Sequence, residues 1–507
     1  MRFRFFVNGY KCLFGIVLVL LLGGCSSYRQ GKITAPDVGE TWAGGKQAIF
    51  SSEAAHVKSK WWEDFNSPGL NTLVERAYSQ NLTLRIATLR ILQARAMLNA
   101  VRSERYPSIN SSNSIMRTKP SGNAQMTDKA LTSYQMSLDS SWEIDLWGRV
   151  KQNITAANAE LNNLDAAYQD AALSIGAEVA SAYINYVVLQ KQIKSVSANI
   201  ALQKQSLRVA KALFKEGENT ALDVQQAQAI LASTKALIPN LERSKNQIRN
   251  ALITLLALPP TEIDKLLPKG NVKLPMLAKT VPIGTPVEVL RRRPDIRQAE
   301  WSAVAAAARA QAAHLERYPR ISLSGSINLQ VTDGVPTLFG GGPGKLFSKD
   351  SLGFSFGPSI YIPLFNAKRL ENNLLAQDAA FQQSIEAYRL AVFRGLQDVE
   401  NALTALAQSR ARYQHLRKSV KAYNKAYSIA KVLYKEGEGN FQNIIDTQRQ
   451  LIDQQQTQFA EQGNISLAQI SLIRSLGGGW VPEEGERLDE ATKPVVKKPS
   501  PRLVNVS

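Results

Sequence analysis

The chain has 507 residues, of which only 7% are aromatic, and its formal net charge at pH 7 is +19. That length would ordinarily indicate about three domains, but two halves of similar pattern make an internally duplicated chain the simpler interpretation. Few aromatic residues are typical of long solvated helices and argue against a compact α/β enzyme.

The first 24 residues have the pattern of an export signal. Basic residues at positions 2, 4 and 11 come before an apolar run, 12–22, that is too short to span a bilayer. Two glycines and Cys25 follow, and this arrangement resembles a bacterial lipoprotein signal. The resemblance implies that residues 1–24 are removed and that Cys25 carries covalent lipid. The alternative is an ordinary secretory signal with an incidental cysteine.

Cys25 would be the only cysteine of the mature chain, so no internal disulfide can form. Because Ser26 follows it rather than aspartate, the usual inner-membrane retention signal is missing, which indicates the outer membrane. An exported lipoprotein would not meet nucleic acid, although such a basic chain could otherwise bind it. The cations are scattered among carboxylates, and we therefore expect a solvated basic surface.

A lipidated N-terminal segment, residues 25–66, shows no clear periodicity. The first repeat, residues 67–256, begins with an apolar period near 3.6, which predicts one short and one longer helix. Pro107 ends this helical pattern. A strand pair follows at about 106–146, where apolar and polar residues alternate from Tyr134 and predict one apolar and one wet face.

The longest helical pattern runs from just after Gly148 to Gly217 and would measure roughly 100 Å at 1.5 Å per residue. A helix of that length must pack sideways on other long helices. Gly217 and Glu218 predict a turn into a return helix that ends near Leu256. Residues 257–290, rich in Pro, Lys and Gly, are interpreted as a connecting segment with only short elements.

The second repeat, residues 291–476, follows the same order. Its strand pair spans about 318–364, and its hairpin has a tip near Gly437 and Glu438. The sequence around this tip, Leu-Tyr-Lys-Glu-Gly-Glu-Gly-Asn from position 433, closely matches Leu-Phe-Lys-Glu-Gly-Glu-Asn-Thr from position 213. The C-terminal tail, 477–507, is predicted to be loosely attached.

Four amphipathic strands in one chain raise a physical problem. An open sheet would leave backbone edges unsatisfied in hydrocarbon, so only a closed barrel can span a bilayer. Because the smallest barrels need about eight strands, the chain must oligomerise, and two, three or four copies would give about 8, 12 or 16 strands. A soluble β-sandwich is the alternative.

The duplicated order of helices, strand pair and long hairpin, together with the segment Arg-Pro-Asp-Ile-Arg-Gln-Ala-Glu at 293–300, resembles the outer-membrane efflux protein (TolC-like) family. The lipoprotein signal resembles the branch that serves resistance-nodulation-division pumps. This resemblance implies a mainly α fold with a membrane β-barrel, in which a homotrimer forms a 12-stranded barrel in the outer membrane and a helical tunnel in the periplasm. It further implies a passive exit channel for small molecules such as drugs.

Asp446 and Arg449 match the Asp-x-x-Arg gate pattern of the lipoprotein branch, and the resemblance implies that they hold the periplasmic end shut. Three copies of Asp446 around an axis would repel one another unless paired, which gives Arg449 a role. The alternative is an exposed i,i+3 surface pair. Asn443 stands where type I secretion channels often have another carboxylate, so Asp223 is the nearest substitute. Because the first copy has Gln226 in place of Asp446, we expect the second hairpin to gate and the first mainly to dock.

The resemblance also implies partners: a periplasmic adaptor at the hairpin tips, and through it an inner-membrane pump. Gly217, Glu218, Gly437 and Glu438 present small, polar, tightly turned surfaces for close approach, whereas a plain loop is the alternative for any one of them.

An enzymatic function is disfavoured. The three histidines, at positions 56, 314 and 415, have no metal-ligand spacing, and no phosphate-binding glycine loop is present in the sequence. We expect no cofactor apart from the lipid on Cys25. A type I protein secretion channel and a non-conducting coiled-coil spacer remain as rival functions, and the cargo is not encoded in a readable way.

Overall fold

The computed structural model describes residues 33–44, 50–51, 60–119, 121, 130–270, 273–277, 281–333 and 342–478. Cys25, the predicted signal peptide and all but the first two residues of the predicted tail lie outside these ranges. The chain divides into two units. The strand unit is centred on Met97–Ala159 and Ser302–Ile385, and the hairpin unit comprises Ala35–Ala96, Glu160–Trp301 and the chain from Glu386.

The first half has a short strand and a 3-10 turn, then two helices, a strand pair and two long helices. In chain order these are β1 (Phe50–Ser51), the turn Trp61–Phe65, α1 (Pro68–Gln80), α2 (Leu82–Ser103), β2 (Ser108–Thr118), β3 (Leu131–Ile144), α3 (Arg149–Lys215) and α4 (Ala221–Leu256).

The second half repeats this order after a connecting segment. Its elements are α5 (Pro260–Leu266), β4 (Val281–Pro282), α6 (Pro286–Arg292), α7 (Pro294–Leu315), β5 (Arg320–Asp333), β6 (Leu352–Tyr361), α8 (Arg369–Lys435) and α9 (Phe441–Ser475). The mainly helical fold class is confirmed. Both outgoing helices, α3 and α8, contain 67 residues and are therefore about 100 Å long.

The strand unit contains an antiparallel sheet with the strand order β2-β3-β5-β6. Its register places the predicted apolar residues of β3, β5 and β6 on one face, because Leu138 pairs with Ile327 and Ile327 pairs with Phe354. Successive strand residues point to opposite faces, so the alternation read from the sequence is confirmed for these strands. The apolar face comprises Tyr134, Met136, Leu138, Trp142, Ile144, Ile321, Leu323, Ile327, Leu329, Val331, Leu352, Phe354, Phe356, Pro358 and Ile360.

Strand β2 follows this pattern only in part, because polar residues interrupt its apolar face. Ser111 and Asn113 pair with Leu138 and Met136 and therefore lie on that face, between Ile109 and Ile115. The other face of β2 is also rich in serine, because the sequence Ser-Ile-Asn-Ser-Ser-Asn-Ser has little alternation to offer. Only three strands of this sheet are clearly two-faced.

The polar face of the sheet is hydrogen-bonded across strands. Ser112 and Ser137 lie 2.6 Å apart through their hydroxyls, and Ser137 donates to Asp139 at 2.8 Å. At the end of β3, the Asp145 carboxylate accepts the backbone N–H groups of Val150 and Lys151, each at 2.9 Å. An acceptor at the start of a helix satisfies donors that have no partner within it, so the strand passes directly into α3.

The hairpin unit has its largest core around Tyr183 and Ile184 of α3, Leu70 and Leu73 of α1, and Leu252 of α4, all of which are 1% exposed or less. By length and composition α3 is apolar enough to cross a membrane, but 67% of its most apolar stretch is buried. This burial is typical of a core helix.

Candidate gate and docking site

Both hairpin tips end their outgoing helix in the same way. Gly217 and Gly437 have φ angles of +81° and +78°, in the left-handed region that glycine tolerates without strain. The next residue closes the turn: the Glu218 N–H donates to the Leu213 carbonyl at 2.8 Å. Glu438 makes the equivalent bond at 3.0 Å. Each tip is thus a Schellman turn.

The return helices begin with different caps. Thr220 accepts from the backbone N–H of Asp223 at 3.4 Å, and Asn440 accepts from that of Gln442 at 2.9 Å. The predicted contact residues Gly217, Glu218, Gly437 and Glu438 are all exposed, and both glycines face open space. The tips therefore offer a surface on which another protein could pack closely.

A hydrogen bond joins the two hairpins just inside their tips. The Asn219 side chain donates to the Tyr434 hydroxyl at 2.8 Å and to the Ala210 carbonyl at 2.9 Å. Asn219 belongs to the first tip, whereas Tyr434 lies in the last turn of α8. The contact therefore links the first tip to the helix that leads into the second.

Sequence reasoning missed this pair, although the repeat contained a signal for it. Tyr434 corresponds to Phe214 in the first copy, and Asn219 corresponds to Gly439 in the second. Tyr434 is 8% exposed and Phe214 is 49% exposed, so the added hydroxyl belongs to the inward-facing residue. Two positions at which the copies differ are the two that bond to each other.

An apolar cluster lies beneath the pair and comprises residues of all four long helices. The Tyr434 and Phe441 rings pack with centroids 5.1 Å apart. Burial raises the pKa of the Tyr434 hydroxyl, the bond from Asn219 opposes this, and the charge of Asp223 adds to the increase. The hydroxyl is therefore neutral and available as an acceptor. The remaining buried members are Ala210, Val224, Ala227, Ile230, Tyr427, Ala430, Ile444, Ile445 and Leu451.

The predicted gate residues Asp446 and Arg449 lie on the exposed side of α9, near its start. Among the described residues Asp446 has no ion pair with Arg449; its carboxylate accepts from the Gln442 side chain at 2.9 Å. Asp223 is half-buried near Tyr434 and is not brought together with Asp446 by any bond within the described ranges. The side chains of Asp446 and Arg449, which carry opposite charges, are thus both exposed on α9.

Within the described parts of the chain, no group of three or more His, Cys, Asp or Glu side chains could hold a metal ion.

Comparison with known proteins gives consistent results over most of the chain. A sequence profile of the outer membrane efflux protein family matches residues 73–258 and 285–478. Outer membrane protein OprJ of Pseudomonas aeruginosa is 29% identical over 485 residues, which cover 94% of this chain and 98% of OprJ. Solvent efflux pump outer membrane protein SrpC of Pseudomonas putida is 29% identical over 473 residues, covering 91% of this chain and 97% of SrpC.

A solved structure shows the same similarity in three dimensions. The outer-membrane channel OprN superposes with a TM-score of 0.79 at 29% sequence identity, covering 89% of this chain and 100% of the OprN chain. The profile match extends over both repeats, including both hairpin tips. This chain belongs to the outer membrane efflux protein family.

Proposed function

We propose that the protein is the passive outer-membrane exit channel of a tripartite efflux pump and that it exports small molecules such as drugs. The observation that carries the proposal is the sheet, which has an apolar face on three strands and a polar face of serine, asparagine and glutamine. A bilayer-spanning sheet requires such a difference between its faces, because one meets lipid and the other water.

The strands are proposed to close into a barrel by association of three copies. Strands β2 and β6 are at the edges of the sheet, and exposed edges in hydrocarbon are costly, so the edge of one copy would pair with that of the next. Twelve strands would enclose a wet lumen. The hairpins of the three copies would form the periplasmic tunnel.

Cys25 is proposed to carry the lipid that anchors the mature chain to the outer membrane. The support is the sequence pattern before it, and lipid attachment would require more than one acyl chain for a stable anchor. Mass spectrometry of the purified N-terminal peptide would detect the modification, and an unmodified Cys25 thiol would contradict it. No other covalent group or cofactor is proposed.

The gate is proposed to lie at the tip of the second hairpin, with Asp446 and Arg449 facing neighbouring copies. Because the two side chains do not pair within one chain, each is free to pair with its opposite on the next copy. Asp223, beside Tyr434, is proposed to add negative charge at the first tip. The bond from Asn219 to Tyr434 holds the two hairpins of one copy together in the closed state.

The exposed tips at Gly217, Glu218, Gly437 and Glu438 are proposed to meet a periplasmic adaptor, which opens the gate and connects the channel to an inner-membrane pump. The name of SrpC places that relative in a solvent efflux pump, which supports a small-molecule cargo here. Crosslinking through a cysteine placed at Glu438 would capture the adaptor. Capture from a buried position such as Ala210 is not expected and serves as the control.

A permeability assay separates this duct from a non-conducting coiled-coil spacer. Liposomes containing the purified full-length protein would be loaded with a small fluorescent dye, and dye release would be compared with that from protein-free liposomes. We expect slow release with the wild type and fast release with Asp446→Ala, Arg449→Ala. Release no faster than from protein-free liposomes, with both proteins inserted, would contradict the proposal. Release of folded protein cargo would favour a secretion channel instead.

A further inference from the structure

The Arg-Pro-Asp segment at 293–295 forms a buried charged contact that lies far from the hairpin tips and has no part in the gate described above. Arg293 lies between α6 and α7 and is 6% exposed. Its guanidinium binds the Asp295 carboxylate through two hydrogen bonds, from Nε at 3.0 Å and from Nη2 at 2.7 Å. Two parallel bonds fix both the direction and the distance of an arginine side chain. Asp295 therefore orients Arg293 within its own segment.

The other contacts of Arg293 reach both helices of the second hairpin. Nη2 donates to the Asp398 carboxylate of α8 at 2.8 Å, and Nη1 donates to the carbonyl of Ser475, the last residue of α9, at 3.0 Å. Gly395 of α8 allows this approach, since a Cβ there would lie 3.3 Å from Arg293 Nε. One side chain thus connects the outgoing and the return helix of one hairpin.

The first repeat has a simpler version of the same contact. Asn81 lies between α1 and α2, is 4% exposed, and donates to the Leu255 carbonyl in the last turn of α4 at 2.8 Å. Leu255 and Ser475 each lie 38 residues after the glycine of their own tip. Both repeats therefore have a buried side chain that donates a hydrogen bond to a carbonyl at the end of the return helix: Asn81 in the first repeat and Arg293 in the second. In the second repeat this side chain is longer and charged, and it also binds the outgoing helix.

We propose that Arg293, Asp295 and Asp398 form a positioning bracket that fixes α8 and α9 relative to each other and so holds the second hairpin in its closed position. This inference rests on the proposed gating function. About 55 Å of helix separates Asp398 from the tip at 1.5 Å per residue. A tilt of roughly 5° at the bracket would therefore displace the tip by about 5 Å, which is enough to separate side chains that pair directly.

The test uses Asp398→Asn, which removes the negative charge by which α8 binds Arg293. The contact between Arg293 and Asp295 is left in place. The chain offers a matched control. Arg249, in the return helix of the first hairpin, pairs with Asp264 of α5 at 2.6 Å, compared with 2.8 Å for Arg293 and Asp398. Asp264 and Asp398 are 54% and 55% exposed, so both substitutions remove a similarly solvated carboxylate from an arginine. Only Asp398 belongs to the bracket.

The full-length protein would be studied in planar bilayers, and the ratio of open to closed time would be measured. We expect Asp398→Asn to raise this ratio about 3- to 10-fold, because the hydrogen bond from Arg293 then meets a neutral acceptor in place of a half-exposed carboxylate. Asp264→Asn should leave the ratio at the wild-type value, and Asp398→Glu, which keeps the negative charge, should do the same. Both asparagine variants should unfold at the same temperature. Equal ratios for the two asparagine variants would overturn the proposal.

A second measurement does not depend on conduction. A nitroxide attached at Glu438→Cys reports the spacing of the second tips in the assembled protein by electron spin resonance. We expect Asp398→Asn to lengthen or broaden this distance by several ångströms, while Asp264→Asn leaves it unchanged. If no variant conducts but the distance changes as expected, the exit-channel function fails and the bracket stands. If the distance does not change in Asp398→Asn, the bracket is wrong whatever the channel conducts.

Discussion

At the scale of single residues, the two tip sequences differ at three of eight positions, and each difference has a structural consequence. Thr220 and Asn440 are alternative caps for the return helices. The other two differences, at Asn219 and Tyr434, form the bond between the hairpins. One added hydroxyl and one added amide thus form a bond, the proposed latch, between the two hairpins of a single chain.

Replacing Tyr434 by phenylalanine removes the latch and keeps the ring that packs on Phe441. A single hydrogen bond contributes about 0.5–1.5 kcal/mol. We therefore expect the ratio of open to closed states to rise about 2- to 10-fold for each protein chain that loses the bond. Single-channel recording measures this ratio. Tyr423→Phe, a hydroxyl deletion in the same helix, should leave the ratio unchanged. An unchanged ratio in Tyr434→Phe as well would show that the bond does not hold the gate.

At this scale the sequence predicted which residues form the turns, but it did not predict which side chains bond to each other. The turn glycines follow from the end of a helical pattern, because few other residues adopt their backbone angles. The bond from Gln442 to Asp446 could not be predicted from the sequence, since side-chain partners at i+3 and i+4 compete for the same carboxylate.

At the scale of elements, the two longest helices were predictable because no proline interrupts their helical pattern over 67 residues. Strand β2 was predicted as a strand, but its mixed apolar face was not, because Ser111 and Asn113 occupy positions where the neighbouring strands carry apolar residues. A strand at a sheet edge gains its hydrogen bonds from the partner strand and needs no alternation to form.

Close approach of α9 to α3 depends on Gly463. A Cβ at this position would lie 2.6 Å from Val188 Cγ2, so one helix must shift in Gly463→Ala. We expect the variant to lose about 1–3 kcal/mol of stability, as overpacked cores do. Thermal unfolding of the purified protein would show this loss. The second change Val188→Ala should recover part of it, and additive effects of the two changes would contradict a direct contact.

At the scale of the whole molecule, the proposed channel requires the apolar face of the sheet to meet lipid. Phe354 lies on the apolar face of β6 and is 83% exposed in the isolated chain. A lysine there would cost about 2–4 kcal/mol at the middle of a bilayer. We therefore expect Phe354→Lys to reduce the amount of assembled protein in the outer membrane.

The control for this prediction is Ser359→Lys, which places the same charge on the polar face of the same strand. It should assemble like the wild type, because a wet lumen accepts lysine. Equal assembly of both variants, measured on gels that preserve the oligomer, would show that the sheet does not face lipid on its apolar side. The number of strands predicts that the chain must oligomerise to close a barrel, but it does not predict the number of copies, since barrels of about 8, 12 or 16 strands would all pair the edge strands.

The central claim is that a closed duct opens at the tip of its second hairpin, and the first hairpin supplies the control for testing it. Gln226 is the counterpart of Asp446 in the first copy, and the counterpart of Arg449 is already alanine, Ala229. Gln226→Ala alone therefore gives the first hairpin the same pair of side chains that Asp446→Ala, Arg449→Ala gives the second.

Single-channel recording of the purified full-length protein in planar bilayers tests the claim most directly, with the wild type, the second-hairpin double variant and Gln226→Ala. We predict brief, rare openings for the wild type and for Gln226→Ala, and long-lived openings of much larger total current for Asp446→Ala, Arg449→Ala. No conductance from the second-hairpin variant, or equal opening of the two variants, would contradict the account.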